Sequence, residues 1–118
     1  MILDKQFLIN KGPNNKYLKE YKLSLISLSV IQMEAAIGLM LGDASIQTQN
    51  NGKSYRMKFE YSIKSKEYAE HVYNIFDEWV LSPPHKKIRI NNNKNEVITL
   101  GFQTISHKAF NILKDLQL

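Results

Sequence analysis

Apolar residues recur along this chain with two different periods, and the periods alternate. From residue 14 to residue 28, Tyr17, Leu18, Tyr21, Leu25 and Leu28 repeat at helical spacing, with Lys and Glu on the other side. Ser29-Val30-Ile31-Gln32 follows as a capping-box pattern, in which first and fourth residues exchange side-chain and backbone hydrogen bonds. A second helix is predicted from there through Gly42. The period then falls to two over Ala44 to Gln49. Asn50-Asn51-Gly52-Lys53 is a strong turn, its Asn-Gly pair suited to a type I′ hairpin. Tyr55, Met57, Phe59, Tyr61 and Ile63 then alternate with Arg56, Lys58, Glu60 and Ser62. One face of this strand is apolar and the other polar and mostly basic.

Helical spacing returns over 65–80, with Tyr68, Val72, Ile75, Phe76 and Trp79 on one side, and Pro83-Pro84 stops it. Lys86–Ile90 and Glu96–Gln103 form a second hairpin around an asparagine-rich loop. Ser106 is placed to cap a last helix striped by Ala109, Phe110, Leu113 and Leu116. Residues 1–13 read as a lead-in closed by the Gly12-Pro13 turn. The order α-α-β-β-α-β-β-α predicts a single α+β domain over 1–118, with an antiparallel sheet of two hairpins covered by helices on one face. The uncovered face would carry Arg56, Lys58, Lys87 or Arg89, and the polar Ser45, Gln47 and Gln49.

Composition narrows the function classes. With 118 residues, 43% hydrophobic and 23% charged, the chain is an ordinary folded domain and not a disordered one. Its net charge of +5 favours a polyanionic partner. The absence of cysteine excludes a disulfide scaffold and a cysteine-based zinc site. No run reaches the ~18 apolar residues of a membrane-spanning helix, so no membrane partner is expected. The first residues lack the pattern of a signal peptide. Lysine, asparagine and isoleucine all have A/T-rich codons, and an A/T-rich organellar genome would produce their excess without selection on function.

Three features carry candidate chemistry. Gly38 and Gly42 are four apart, so one helix face lacks side chains there. That face either packs closely on the chain's own sheet or admits the backbone of a partner helix. Asp43 follows at the negative end of the helix dipole, an unfavourable place for a carboxylate. A bound Mg²⁺ would offset that cost, because hard cations prefer carboxylate oxygens; the plainer reading is an ordinary helix-end residue. The basic strand faces are either a solvated surface or a platform, with Lys and Arg on phosphates and amides such as Gln47 and Gln49 on base edges. His71, His85 and His107 lack metal-ligand spacing, and no catalytic Ser/His/Asp set is legible.

Ala36-Ile37-Gly38-Leu39-Met40-Leu41-Gly42-Asp43-Ala44 resembles the motif of the LAGLIDADG homing endonucleases. Lys19-Glu20-Tyr21-Lys22 and the stretch from Trp79 through Lys87 are similar to the first half of the omega-intron endonucleases of mitochondrial large-subunit rRNA genes. The resemblance implies an αββαββα half-saddle whose four-stranded antiparallel sheet lies on DNA. It places Ala35, Gly38, Leu39 and Gly42 in an interface between two motif helices, and makes Asp43 a divalent-metal ligand at the scissile phosphates. It implies that Lys53, Arg56, Lys58, Lys86, Lys87 and Arg89 hold the nucleic-acid backbone while Ser45, Gln47 and Gln49 approach bases.

The related two-motif chains supply two acids, whereas this chain has one motif, and their active-site lysine has no counterpart in Lys108 or Lys114, which sit within the last helix. The resemblance therefore implies half of a split or dimeric endonuclease, organelle-encoded and mitochondrial, which cuts double-stranded DNA with Mg²⁺ beside a second LAGLIDADG half. The alternative is a non-catalytic derivative that binds structured RNA, in intron splicing or in a large ribonucleoprotein such as the mitochondrial ribosome.

Overall fold

The computed structural model describes Leu8 and residues 15–116, except for the side chain of Leu116. Asn15 starts helix α1 (Lys16–Ser24) by accepting from the N–H groups of Tyr17 at 3.0 Å and Leu18 at 3.2 Å. The helix stops four residues before its predicted end, and Leu25 is already extended. His107 closes it from across the fold. Its Nδ1 accepts from the Ala109 N–H at 2.9 Å, so its Nε2–H donates to the carbonyls of Lys22 at 3.0 Å and Leu25 at 2.8 Å. The Lys22 carbonyl also accepts from the Leu25 N–H at 3.2 Å, and the imidazole adds a second donor at this helix end, where carbonyls run short of intrahelical partners.

Helix α2 (Val30–Met40) begins with the expected capping box. Gln32 does more than cap. Its Oε1 accepts from the Ser29 N–H at 2.9 Å and from the Trp79 indole N–H at 3.1 Å. Its Nε2 donates to the Ile75 carbonyl at 3.0 Å and to Glu78 Oε1 at 2.6 Å. All four bonding positions of the amide are thus filled. Trp79, fully buried, is therefore tied to the first turn of α2.

The strands are β1 (Ala44–Gln47), β2 (Arg56–Ser62), β3 (His85–Ile90) and β4 (Glu96–Gln103), all antiparallel in the order β1-β2-β4-β3. Asn51 and Gly52 both have positive φ, as an Asn-Gly turn requires. The turn tops a longer loop, however, because Thr48 and Asn50 side chains bond back to the backbone of Gly52 and Ser54 and stop the ladder at Gln47. Between the hairpins lies α3 (Lys66–Ile75), flanked by 3-10 turns at Ile63–Ser65 and Asp77–Trp79. It is shorter than the predicted 65–80 because the backbone tightens at Phe76 before the prolines.

The last helix, Lys108–Leu116, is 3-10 rather than α. Its first turn is bonded by His107, whose ring and carbonyl accept from Ala109 and Phe110, and not by the predicted Ser106. Phe110 and Leu113 are buried as expected, while Leu116 has no described side chain.

The helices cover one face of the sheet. Met57, Phe59 and Tyr61 of β2 meet Ala36, Leu39 and Met40 of α2, Ala69 and Val72 of α3, and Leu100 and Phe102 of β4. Phe59 stacks on Phe102 with centroids 4.6 Å apart. Tyr61 meets Tyr68 edge-on at 5.5 Å, yet its buried hydroxyl has no hydrogen-bond partner. Burial raises the pKa of that hydroxyl above its ordinary 10.0, and the Asp43 carboxylate and Tyr68 add to the rise.

Two predictions follow from this packing. Gln32→Ala leaves the Trp79 N–H and the Ile75 carbonyl unpaired inside the protein, so urea unfolding should show a loss of about 2–4 kcal/mol; a loss within experimental error would show that the amide does not brace the fold. For Tyr61 the raised pKa means that the folded state holds the phenol proton more tightly than the unfolded chain. Its contribution is full below about pH 10 and is lost as pH climbs beyond it. Tyr61→Phe should therefore lose stability less steeply than the parent above pH 10, and identical alkaline limbs would exclude Tyr61 as a titrating group.

Candidate nucleic-acid interface

The strand register sorts the polar side chains into rows on the uncovered face. Gln47 stands opposite Arg56; Ser45 stands beside Lys58, and Lys58 beside Gln103. The next row holds Glu60, Gly101 and His85, and the one after it Ser62, Thr99 and Lys87. Arg89 lies beyond, opposite Val97. Arg56, Lys58, Lys87 and Arg89 thus share one face with Ser45 and Gln47, as the alternation of β2 predicts.

Local bonds orient several of these groups. Arg56 Nη2 donates to Gln47 Oε1 at 3.3 Å, while its buried Nε has no partner. Arg89 Nη2 is 2.6 Å from Glu60 Oε1. A concavity of about 510 Å³ is lined by Gln49, Arg56, Lys58, His85, Lys87 and Gln103, among others. Lys22 stands at its margin, where burial lowers the pKa of the ammonium.

Three of the named residues lie off these rows. Lys86 pairs with the buried Leu100, so it belongs to the opposite side of the sheet from Lys87 and Arg89. The two-residue period forbids neighbours on a strand from sharing a face. Lys53 occupies the turn tip, where its carbonyl accepts from Asn111 at 3.2 Å in the last helix. Gln49 lies past the end of β1 but still reaches the larger concavity. Glu60, His85, Thr99 and Gln103 are on the uncovered face and were not singled out. Period-two reading of β2 and β4 would have found Glu60 and Gln103; only the pairing register reveals Thr99 beside Lys87.

Helix α2 ends at Met40, two residues short of the predicted Gly42, so Gly38 lies within it and Gly42 in the turn that follows. A Cβ placed on Gly38 or Gly42 would meet nothing within 4 Å. The reading in which these glycines pack on their own sheet is thereby excluded. Ala35 is half-buried on the same side, and Ile31 (71% exposed) and Leu41 (64%) flank it. Leu39 departs from the expected interface set, because it is 8% exposed and belongs to the core. It lies about 100° around the helix from Gly38.

Asp43 is exposed in the turn from α2 to β1. With Gly42, Ser45, Gln47, Lys58 and Glu60 it borders a second concavity of about 320 Å³. Among the described residues no group of three or more His, Cys, Asp or Glu side chains could hold a metal ion. An outward carboxylate suits a hard cation that takes its other ligands from water and phosphate.

The family profile of the LAGLIDADG DNA endonuclease family matches residues 33–117. A protein of Wickerhamomyces canadensis described as a probable intron-encoded endonuclease 1 is 44% identical over 112 residues, which make up 95% of this chain and 48% of that protein. The solved structure of the homing endonuclease I-WcaI bound to its DNA recognition sequence superposes with a TM-score of 0.87 at 42% identity, over 97% of this chain and 50% of that one. The chain spans about half the length of the relatives it matches. On its motif, its sheet and these likenesses, the chain belongs to the LAGLIDADG DNA endonuclease family.

Proposed function

We propose that this chain forms one half of a site-specific DNA endonuclease, with its sheet in the major groove and α2 against the motif helix of a second half. The observation that carries the reading is the bare outward side of α2 and of the turn that follows it. Gly38 and Gly42 meet nothing in their own fold, although they sit beside exposed Ile31 and Leu41. Glycines in such a place let two helix backbones approach closely, and the apolar flanks favour removal from water. The DNA-bound state of the solved relative supports DNA as the ligand. The intron-encoded relative and the A/T-biased composition support an organellar, mitochondrial gene.

In this reading the two halves place their helix ends together, so that Asp43 and its counterpart border one site. Asp43 would hold a divalent ion, Mg²⁺ being the hard cation that keeps water and phosphate ligands. Such an ion, when bound, lowers the pKa of water and stabilises a leaving oxygen. The rest is the work of the chain. Lys58 borders the Asp43 concavity and would hold a phosphate near it. Arg56, braced by Gln47, and Lys87 would bind along the backbone. Ser45, Gln47 and Gln49 would approach base edges, as amide and hydroxyl side chains do in the major groove.

Asp43→Asn should cut a cognate duplex at least about 100-fold more slowly with Mg²⁺ present, and should still bind it. Undiminished cleavage would remove Asp43 from the chemistry, and cleavable or bound RNA in place of duplex DNA would shift the reading to the RNA-binding alternative. Gly38→Leu tests the helix face separately. Open space at Gly38 lets the monomer accept the side chain, with stability unchanged or raised by about 1 kcal/mol as glycine leaves a helix interior. Sedimentation should nevertheless show loss of association with the second half or with another copy; an unchanged complex would place the partner elsewhere.

A further inference from the structure

We infer that Glu60 and Arg89 act together as a reader of one G·C base pair, so that Arg89 is a specificity residue and not a phosphate anchor. The inference rests on the reading of the sheet as a DNA-binding surface. Glu60 is an acid standing on the face that carries Arg56, Lys58, Lys87 and Arg89. Against a polyanion such a charge is repelled, and with a basic neighbour engaged it cancels part of the attraction. Its presence there calls for a use.

The pair does not contribute much to folding. Arg89 is 57% exposed and Glu60 27% exposed in their side chains, and ion pairs so open to solvent add little stability. Nor is the contact one between adjacent residues of the ladder. Glu60 shares its row with Gly101 and His85, whereas Arg89 lies two rows further along the edge strand. Gly101 leaves the surface between them without a side chain, and Lys87 lies over it: a Cβ on Gly101 would stand 3.4 Å from Lys87 Cε and 3.5 Å from its Nζ. Arg89 therefore folds back along the sheet to reach Glu60 at 2.6 Å, and does not extend freely toward solvent.

This arrangement matches the edge of a G·C pair. Guanine presents O6 and N7 as acceptors, which a guanidinium can take with two donors, and the adjacent cytosine N4–H₂ donates to a carboxylate. The guanidinium has five N–H donors, so bonding to Glu60 still leaves a pair for guanine. A phosphate, by contrast, would have to approach an arginine already neutralised by a carboxylate. Glu60 thus discriminates in two ways: it accepts from cytosine and holds Arg89 off the backbone.

The test uses the full chain immobilised and a pool of duplexes randomised over about 24 base pairs, a span chosen to exceed two turns of the groove. Repeated selection and sequencing give the preferred site; salt titrations on that site then compare the parent with Arg89→Ala, Glu60→Ala and Lys58→Ala. The parent should select a G·C pair at one position. Arg89→Ala and Glu60→Ala should both relax that position by about tenfold. Arg89→Ala should leave the slope of binding against salt unchanged, whereas Glu60→Ala, which frees Arg89 for phosphate, should steepen it by about one. Lys58→Ala should lower the slope by about one and keep every preference. Loss of salt slope in Arg89→Ala with preferences intact, or relaxation of two different positions, would overturn the inference while leaving DNA binding in place. Failure of the parent to enrich any duplex would instead bring down the DNA-binding reading itself.

Discussion

The amide of Gln32 is the constraint on which the rest of the site depends. It is a buried polar group, 6% exposed, in a domain with few of them, and it is tolerated because its oxygen and nitrogen each make two hydrogen bonds. Through them one side chain caps α2, fixes the indole of Trp79 and takes the end of α3. Trp79 in turn packs edge-on against His107 at 5.0 Å and Phe110 at 5.2 Å. His107 then closes α1. The rotation of α2 about its axis follows from this chain of contacts. With Gln32, Ala36, Leu39 and Met40 held inward, Gly38 faces outward, and Ala35 stands half-buried at the edge of the core.

The sheet divides its labour by side. The covered face is closed by stacked aromatics and aliphatics, and its energetics are those of ordinary apolar burial. The open face contributes little to that core, so it can carry four cations, one acid and several amides without unfolding the domain. The carboxylate of Asp43 lies where these two regimes meet, and its influence reaches the buried phenol of Tyr61.

Much of this was legible before any coordinates. The two periods placed the four strands and the longer helices over residues 15–116, because each element buries a single face and its apolar spacing records that. What periodicity does not encode is where backbone hydrogen bonding changes type. The last helix has a good apolar stripe yet winds as 3-10, and α1 ends early because a histidine more than eighty residues away takes its carbonyls. Face assignment was legible wherever alternation was strict, as in β2. It held for β3 too, where Lys87 and Arg89 were named for the uncovered face; Lys86, which the family resemblance added to them, lies on the other side. Leu39 was misplaced for a related reason: a motif names contiguous residues, whereas a helix divides them among different faces. The Glu60–Arg89 pair was beyond reach, since it joins residues on strands that are not neighbours in the sheet.

Only Leu41, Gly42 and Asp43 separate the last residue of α2 from the first of β1. The acid is thereby held by a helix anchored in the core, while the polar residues of the open face begin immediately afterward on a half-buried strand. These two sets answer to different pressures. Substitutions at Ser45, Gln47 or Glu60 leave the helix and its anchor untouched, so the open face of the sheet can drift in sequence without displacing the acid beside it.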